Sequence, residues 1–114
     1  MADADTVILI TRNGMGEADQ MLQLKLISTY LQLLIENKSL PAALCFYTEG
    51  VYLTVEGSPV LAELQSLVSM GVRLILCSTC INYYNLSEKV RVGIVGGMAD
   101  ILEAQLRASK VITI

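Results

Sequence analysis

At 114 residues, 54% of them hydrophobic and only 17% charged, the chain is long enough for one domain with a real core, which excludes a disordered segment or an acidic tail. Eleven acidic residues against eight basic ones leave a net charge of −3, so binding to nucleic-acid phosphates has no electrostatic support. Histidine and tryptophan are absent, which removes a Ser-His-Asp triad, a Cys-His pair within the chain and an HExxH zinc site. No apolar run reaches the length of about 18 residues that a bilayer span needs. The acidic start Met1-Ala-Asp-Ala-Asp5 is unlike a signal peptide, and the cytoplasm, where thiols stay reduced, is the expected compartment.

Residues 1–5 are expected to form a flexible N-terminus and residues 6–114 a single α/β domain. Thr6-Val-Ile-Leu-Ile-Thr11, a β-branched run closed by Asn13-Gly14, predicts a buried strand. From Glu17 to about Lys38 the spacing predicts a helix. Leu22, Leu24, Leu26, Ile27, Tyr30, Leu31, Leu33, Leu34 and Ile35 spread over an arc of about 220° at helical pitch, wider than one sheet contact requires. Either a neighbouring helix shields the surplus or a second subunit does. Pro41–Phe46 predicts a second strand, with a short extended piece at Val51–Val55 after the Thr48-Glu49-Gly50 turn. Ser58 as N-cap and Pro59 at the first helical position start a helix over Val60–Met70. Its inward residues are Val60, Leu61, Leu64, Leu67 and Val68, and Gly71 ends it.

Val72–Cys77 predicts a third strand and Ser78–Tyr84 a short helix. Lys89–Ile94 is extended and contains or precedes a fourth strand. Gly96-Gly97 opens a helix from Met98 to about Ala108 with Met98, Ile101, Leu102, Gln105 and Leu106 inward. Lys110–Ile114 is the last strand. Strands that read as continuous apolar runs, alternating with helices, predict a parallel sheet covered on both faces. Chemistry in such folds gathers at the carboxyl ends of the strands.

Cys77-Ser-Thr-Cys80 falls at such an end. With Ser78 as N-cap, Cys80 would occupy the second helical position, where unpaired amides favour a thiolate. Three readings compete for this pair. Free cysteines are often buried hydrophobes, two thiols are half of a structural zinc site, and a pair at a strand-to-helix transition is a reactive sulfur site, the favoured reading. Cys45 sits in the core-like Leu44-Cys45-Phe46 and reads as a packing residue. Arg73, on the face of Cys77 but about 13 Å along the strand, is too far to tune it. Gly14-Met15-Gly16 offers a weak phosphate-loop signal that lacks the third glycine of the dinucleotide fingerprint. Arg12, Asn13 and Glu49 are the polar loop groups able to line a pocket. Gly96 and Gly97 leave room for an approach to Cys77. Tyr83 and Tyr84 form either a lid or packing aromatics, with Asn82 beside them. Glu17 and Asp19 suit the first turn of the long helix.

Leu76-Cys77-Ser-Thr-Cys80-Ile-Asn-Tyr-Tyr84, together with Gly93-Ile-Val-Gly-Gly-Met98, Cys45-Phe-Tyr-Thr-Glu-Gly-Val51 and Glu56-Gly-Ser-Pro59, resembles the DsrE/DsrF-like family from about Val7 to Ile114. Within it the likeness is greatest to the C-terminal domain of the YedF-type, sulfurtransferase-like proteins associated with selenium metabolism. The resemblance implies a three-layer α/β/α fold, flavodoxin-like in appearance, with a five-stranded parallel sheet in the order 4-3-2-1-5. It also implies a trimer or hexamer and no cofactor or metal. Cys77 is by this resemblance the persulfide carrier and Cys80 its partner, with Asn13, Thr79, Asn82, Tyr83, Gly96 and Gly97 as the residues expected to line the site. Gly97 stands where the subgroup usually places asparagine. YedF-type proteins generally carry a TusA-like domain ahead of this one, so a TusA-like protein is the expected donor or acceptor. The implied function is a sulfur or selenium relay. The alternatives are a non-catalytic oligomeric interaction domain and a thiol-disulfide redox protein.

Overall fold

The computed structural model describes residues 5–114, so of the segment 1–5 only Asp5 is described. Its carbonyl accepts from the N–H groups of Ser109 and Lys110 and its carboxylate from the Ser109 hydroxyl. Five strands follow, β1 (Thr6–Ile10), β2 (Ala43–Phe46), β3 (Arg73–Cys77), β4 (Ile94–Gly96) and β5 (Lys110–Thr113). They form one parallel sheet in the order β4-β3-β2-β1-β5, as expected. The connecting helices are α1 (Gln20–Glu36), α2 (Leu61–Ser69), α3 (Ser78–Tyr83) and α4 (Met98–Arg107), with a 3-10 turn over Thr48–Thr54. No helix among the described residues is long and apolar enough to cross a membrane.

Strand alternation splits the core in two. Ile8, Ile10, Leu44, Phe46, Leu74 and Leu76 meet Ile27 and Leu31 of α1 and Val60, Leu64 and Leu67 around α2. Val7, Leu9, Ala43, Cys45, Ile75 and Cys77 meet Ile101 and Ala104 of α4 on the opposite face. Both faces of β1–β3 are covered, which is why those strands read as unbroken apolar runs.

Several local expectations are corrected. Helix α1 begins at Gln20, with the Asp19 carboxylate accepting from the Leu22 N–H at 3.0 Å; Glu17 lies before the helix and pairs with Arg12 at 3.8 Å. Helix α2 shields part of the wide apolar arc of α1, and Gln32 donates to Glu63 across the pair. Leu22, Leu26 and Leu33 nevertheless stay exposed. Val51–Val55 is not extended. Residues 48–54 coil into the 3-10 turn with Val51 and Leu53 fully buried, because packing against the end of β1 outweighs the strand preference of Val-Tyr-Leu-Thr-Val. Only Val55 keeps a trace of pairing, as an isolated antiparallel bridge to Val90. Helix α2 starts at Leu61, the Ser58 hydroxyl accepting from the Val60 N–H instead of capping the helix, and Val68 is exposed. The fourth strand follows the extended stretch, at Ile94–Gly96.

The largest correction concerns α4. Ile101 and Ala104 face the sheet, Gln105 is half-buried, and Met98, Leu102 and Leu106 are 53%, 52% and 77% exposed. The sheet offers Ala43 and Cys45 beneath this helix. Small residues on both sides permit close approach at Ala104, which turns the leucines outward.

Cys45 is fully buried, and burial pushes its thiol up to about 11 against the weaker downward pull of Arg73. A group whose pKa folding raises contributes stability that is complete below its unfolded value and is lost as pH climbs through the folded one. The ordinary thiol value is 9.0, so stability should fall between about pH 9 and 11 by roughly 2–3 kcal/mol on this account. Cys45→Ala is expected to flatten that decline in urea-denaturation midpoints taken across the range. Equal slopes for variant and wild type would remove Cys45 as the cause.

Candidate functional site at the carboxyl edge of the sheet

Cys77 ends β3 and serves as the N-cap of α3, which makes Cys80 the third helical residue instead of the second. The one-residue shift follows from the strand running straight into the helix. It also divides the two thiols by environment. Cys77 is 1% exposed and packs among Val7, Leu9, Cys45 and Ile75. Cys80 is half-buried and touches both halves of the core. Neither is in a disulfide.

Thr48 reaches over from the turn after β2. Its backbone N–H donates to Cys80 Sγ at 3.0 Å. Thr48 has φ +48°, a left-handed conformation that a β-branched residue adopts only under constraint and at a cost of about 1–3 kcal/mol. The constraint is visible: the Thr48 hydroxyl lies 2.5 Å from the Thr11 carbonyl and 2.7 Å from that of Tyr47. Gly50 meanwhile lets the turn close against β1. A strained backbone is thus held with its amide aimed at a sulfur.

The electrostatics of Cys80 oppose the depressed pKa expected from the sequence. Burial raises it, a hydrogen bond to Cys77 holds the proton and raises it further, the Thr48 N–H lowers it, and the Cys77 charge adds a last upward push. The net direction is up. Helix α3 is too short to overturn that balance.

The remaining residues divide between the site and elsewhere. Thr79, Asn82 and Tyr83 lie exposed on α3 next to Cys80. Tyr84 packs on Tyr52 with ring centroids 4.9 Å apart and meets Tyr83 edge-on at 5.3 Å, while Tyr83 itself is 79% exposed. Tyr84 is therefore the packing aromatic, and Tyr83 stands free. Gly96 pairs with Cys77 in the β3–β4 register. The room it leaves is taken by the Asp100 carboxylate, 2.7 Å from where a Cβ would stand, and that carboxylate accepts from the Gly97 N–H at 2.9 Å. Gly96 thus makes way for a helix cap, while a Cβ at Gly97 would meet nothing closer than the Ala99 nitrogen at 3.9 Å.

Asn13 lines a separate cavity of about 190 Å³ with Tyr52, Glu56 and Ser58, and its carbonyl accepts from Gln20 and Gln23. The Gly14–Gly16 loop binds back onto α1, the Met15 N–H donating to the Gln23 carbonyl. With the Asp19 carboxylate on the α1 N-terminus as well, the loop is closed to phosphate. A further cavity of about 220 Å³, lined in part by Asp5, Arg73 and Arg107, lies at the opposite end of the sheet. Among the described residues no three Cys, Asp or Glu side chains are gathered for a metal.

Thr48 and Asp100 are the residues that sequence reasoning missed. Asp100, three residues after Gly97 and in the first turn of α4, carried a helix-cap signal. A threonine with positive φ carries none.

The family model described as DsrE/DsrF-like family matches residues 5–114. Similar solved structures include the ychN protein from E. coli, with TM-score 0.73 and 19% identity over 97% of this chain and 99% of that one. Another is a protein of unknown function, MTH1491, from Methanobacterium thermoautotrophicum, with TM-score 0.69 and 17% identity over 96% and 97% of the two chains. A conserved protein of unknown function, BT1422, from Bacteroides thetaiotaomicron aligns with TM-score 0.65 and 13% identity over 96% and 95%. No curated protein matches. At these identities the structures speak for the fold, and none of the matches singles out the YedF-type subgroup.

Proposed function

The chain belongs to the DsrE/DsrF-like family, and from that premise we propose that it relays sulfur between protein partners as a cysteine persulfide, with Cys80 as the carrier and Cys77 behind it. The observation that carries this reading is the Thr48 amide held against Cys80 Sγ. An N–H aimed at sulfur stabilises negative charge there, both on the attacking thiolate and on the thiolate left after transfer. What favours Cys80 over Cys77, the carrier that the resemblance implies, is that solvent reaches Cys80 and not Cys77.

In the first step the Cys80 thiolate attacks the terminal sulfur of a donor persulfide R–S–SH. A sulfur–sulfur bond forms to Cys80, the donor S–S bond breaks, and R–S⁻ leaves. In the second step an acceptor thiolate attacks the terminal sulfur of Cys80–S–SH and leaves with it, returning the Cys80 thiolate. With no acceptor, Cys77 can attack Cys80 Sγ, expelling hydrosulfide and closing a Cys77–Cys80 disulfide. The thiol-disulfide reading thus becomes a side branch of the relay. A reducing cytoplasm keeps the pair ready, and a TusA-like protein is the acceptor or donor we favour.

A second reading, an oligomeric interaction domain, is favoured by the outward Met98, Leu102 and Leu106 of α4 and Leu22, Leu26 and Leu33 of α1, stripes that a trimer or hexamer would cover. Intact-mass measurement after incubation with a persulfide donor separates the two. A gain of about 32 Da, one sulfur atom, that maps to Cys80 and disappears in Cys80→Ser is the expected result. An unmodified mass for a well-folded oligomer would leave only the scaffold reading.

A further inference from the structure

Around Cys80 the surface carries a chemistry that the relay steps do not use. Tyr52, Tyr84 and Tyr83 form a continuous aromatic run, and its outer member is 79% exposed. Core packing therefore claims Tyr84 and leaves Tyr83 unused. Glu49 follows Thr48 in the turn, is exposed, and takes part in none of the ion pairs among the described residues. Its carboxylate lies close enough to bear on the Tyr84 phenol, as does the Cys80 thiol. An unneutralised carboxylate, aromatic π-faces and a sulfur thus share one small surface.

We propose that Tyr83 and Glu49, with Tyr84 packed against Tyr83, form the docking face for a basic segment of a protein partner, one that presents a lysine or arginine next to the thiol or persulfide it exchanges with Cys80. This rests on the relay reading for its purpose but not for its binding chemistry. A carboxylate and aromatic rings are both attractive to a cation, through charge and through the ring quadrupole. Large exposed tyrosines are the type of side chain that anchors protein interfaces, and an acidic or purely apolar segment would leave Glu49 unanswered.

The test uses two synthetic nonapeptides, each with one central cysteine, flanked by lysines in one and by glutamates in the other, titrated against the full chain. The lysine peptide should bind wild type and Cys80→Ser alike. Binding should weaken at least about threefold in Glu49→Gln and in Tyr83→Ala, and stay unchanged in Glu103→Gln, a control acid on α4. Equal binding of the two peptides, or an effect of Glu103→Gln as large as that of Glu49→Gln, would overturn the proposal in favour of net charge alone. Loss of self-association in Tyr83→Ala would overturn it in favour of a second copy on this face. Because Cys80→Ser cannot carry sulfur, peptide binding and the 32 Da gain fail independently.

Discussion

Gly50→Ala is expected to prevent folding or to lower the thermal midpoint by more than about 10 °C, the equivalent of several kcal/mol for a domain this size. A Cβ at Gly50 would collide with the Ile10 carbonyl oxygen and stand 2.8 Å from its carbon and 3.3 Å from the Thr11 nitrogen. These are backbone atoms at the end of a strand hydrogen-bonded on both sides, so no side-chain rotation relieves the overlap. Gly57→Ala is the matched control. Its φ of +92° is unfavourable for alanine, but the space around it is open, and the cost should stay near 1 kcal/mol. Thermal denaturation of both variants checks the contrast, and comparable midpoints would show that the turn can yield. Any folded Gly50→Ala protein should also have lost the Thr48 contact to Cys80, since Thr48 lies two residues away in the same turn.

The parts of the structure legible in the sequence are those where pattern and packing agree. The parallel sheet and its covered faces follow from apolar runs such as Thr6–Ile10 and Arg73–Cys77. The location of the cysteines follows from the carboxyl ends of those strands. What was hidden depends on what a residue meets, not on its type. Leu102 and Leu106 have the spacing of an inward stripe, yet small Ala104 wins the sheet contact. Val51–Val55 has strand-forming residues, yet Gly50 draws the segment into a turn against Ile10. At the site, the residue pattern located Cys77 and Cys80, and only the resemblance put Cys77 first. Which of two thiols three residues apart meets solvent depends on where strand ends and helix begins, and a shift of one residue is within the usual uncertainty of a helix boundary. The Thr48 amide was out of reach, because the conformation that delivers it is one that threonine disfavours.

Alkylation should therefore find one thiol of the three. In the native protein iodoacetamide is expected to label Cys80 alone, leaving Cys45 and Cys77, at 0% and 1% exposure, untouched until the chain unfolds. The labelling rate should rise with pH through a midpoint above that of an ordinary cysteine, since burial and the Cys77 hydrogen bond together outweigh the Thr48 amide. Cys77→Ala removes two of the three upward influences while leaving that amide in place. The midpoint should then move down, and labelling near neutral pH should become faster. Losing one buried sulfur costs only about 1 kcal/mol in packing, so the variant should stay folded. Cys80→Ser should abolish native-state labelling outright. Faster labelling of Cys77 than of Cys80 in wild type, or slower labelling of Cys80 in Cys77→Ala, would mean that the sulfurs do not share a proton in the way their contact implies. The inner cysteine would then again be the first choice as carrier.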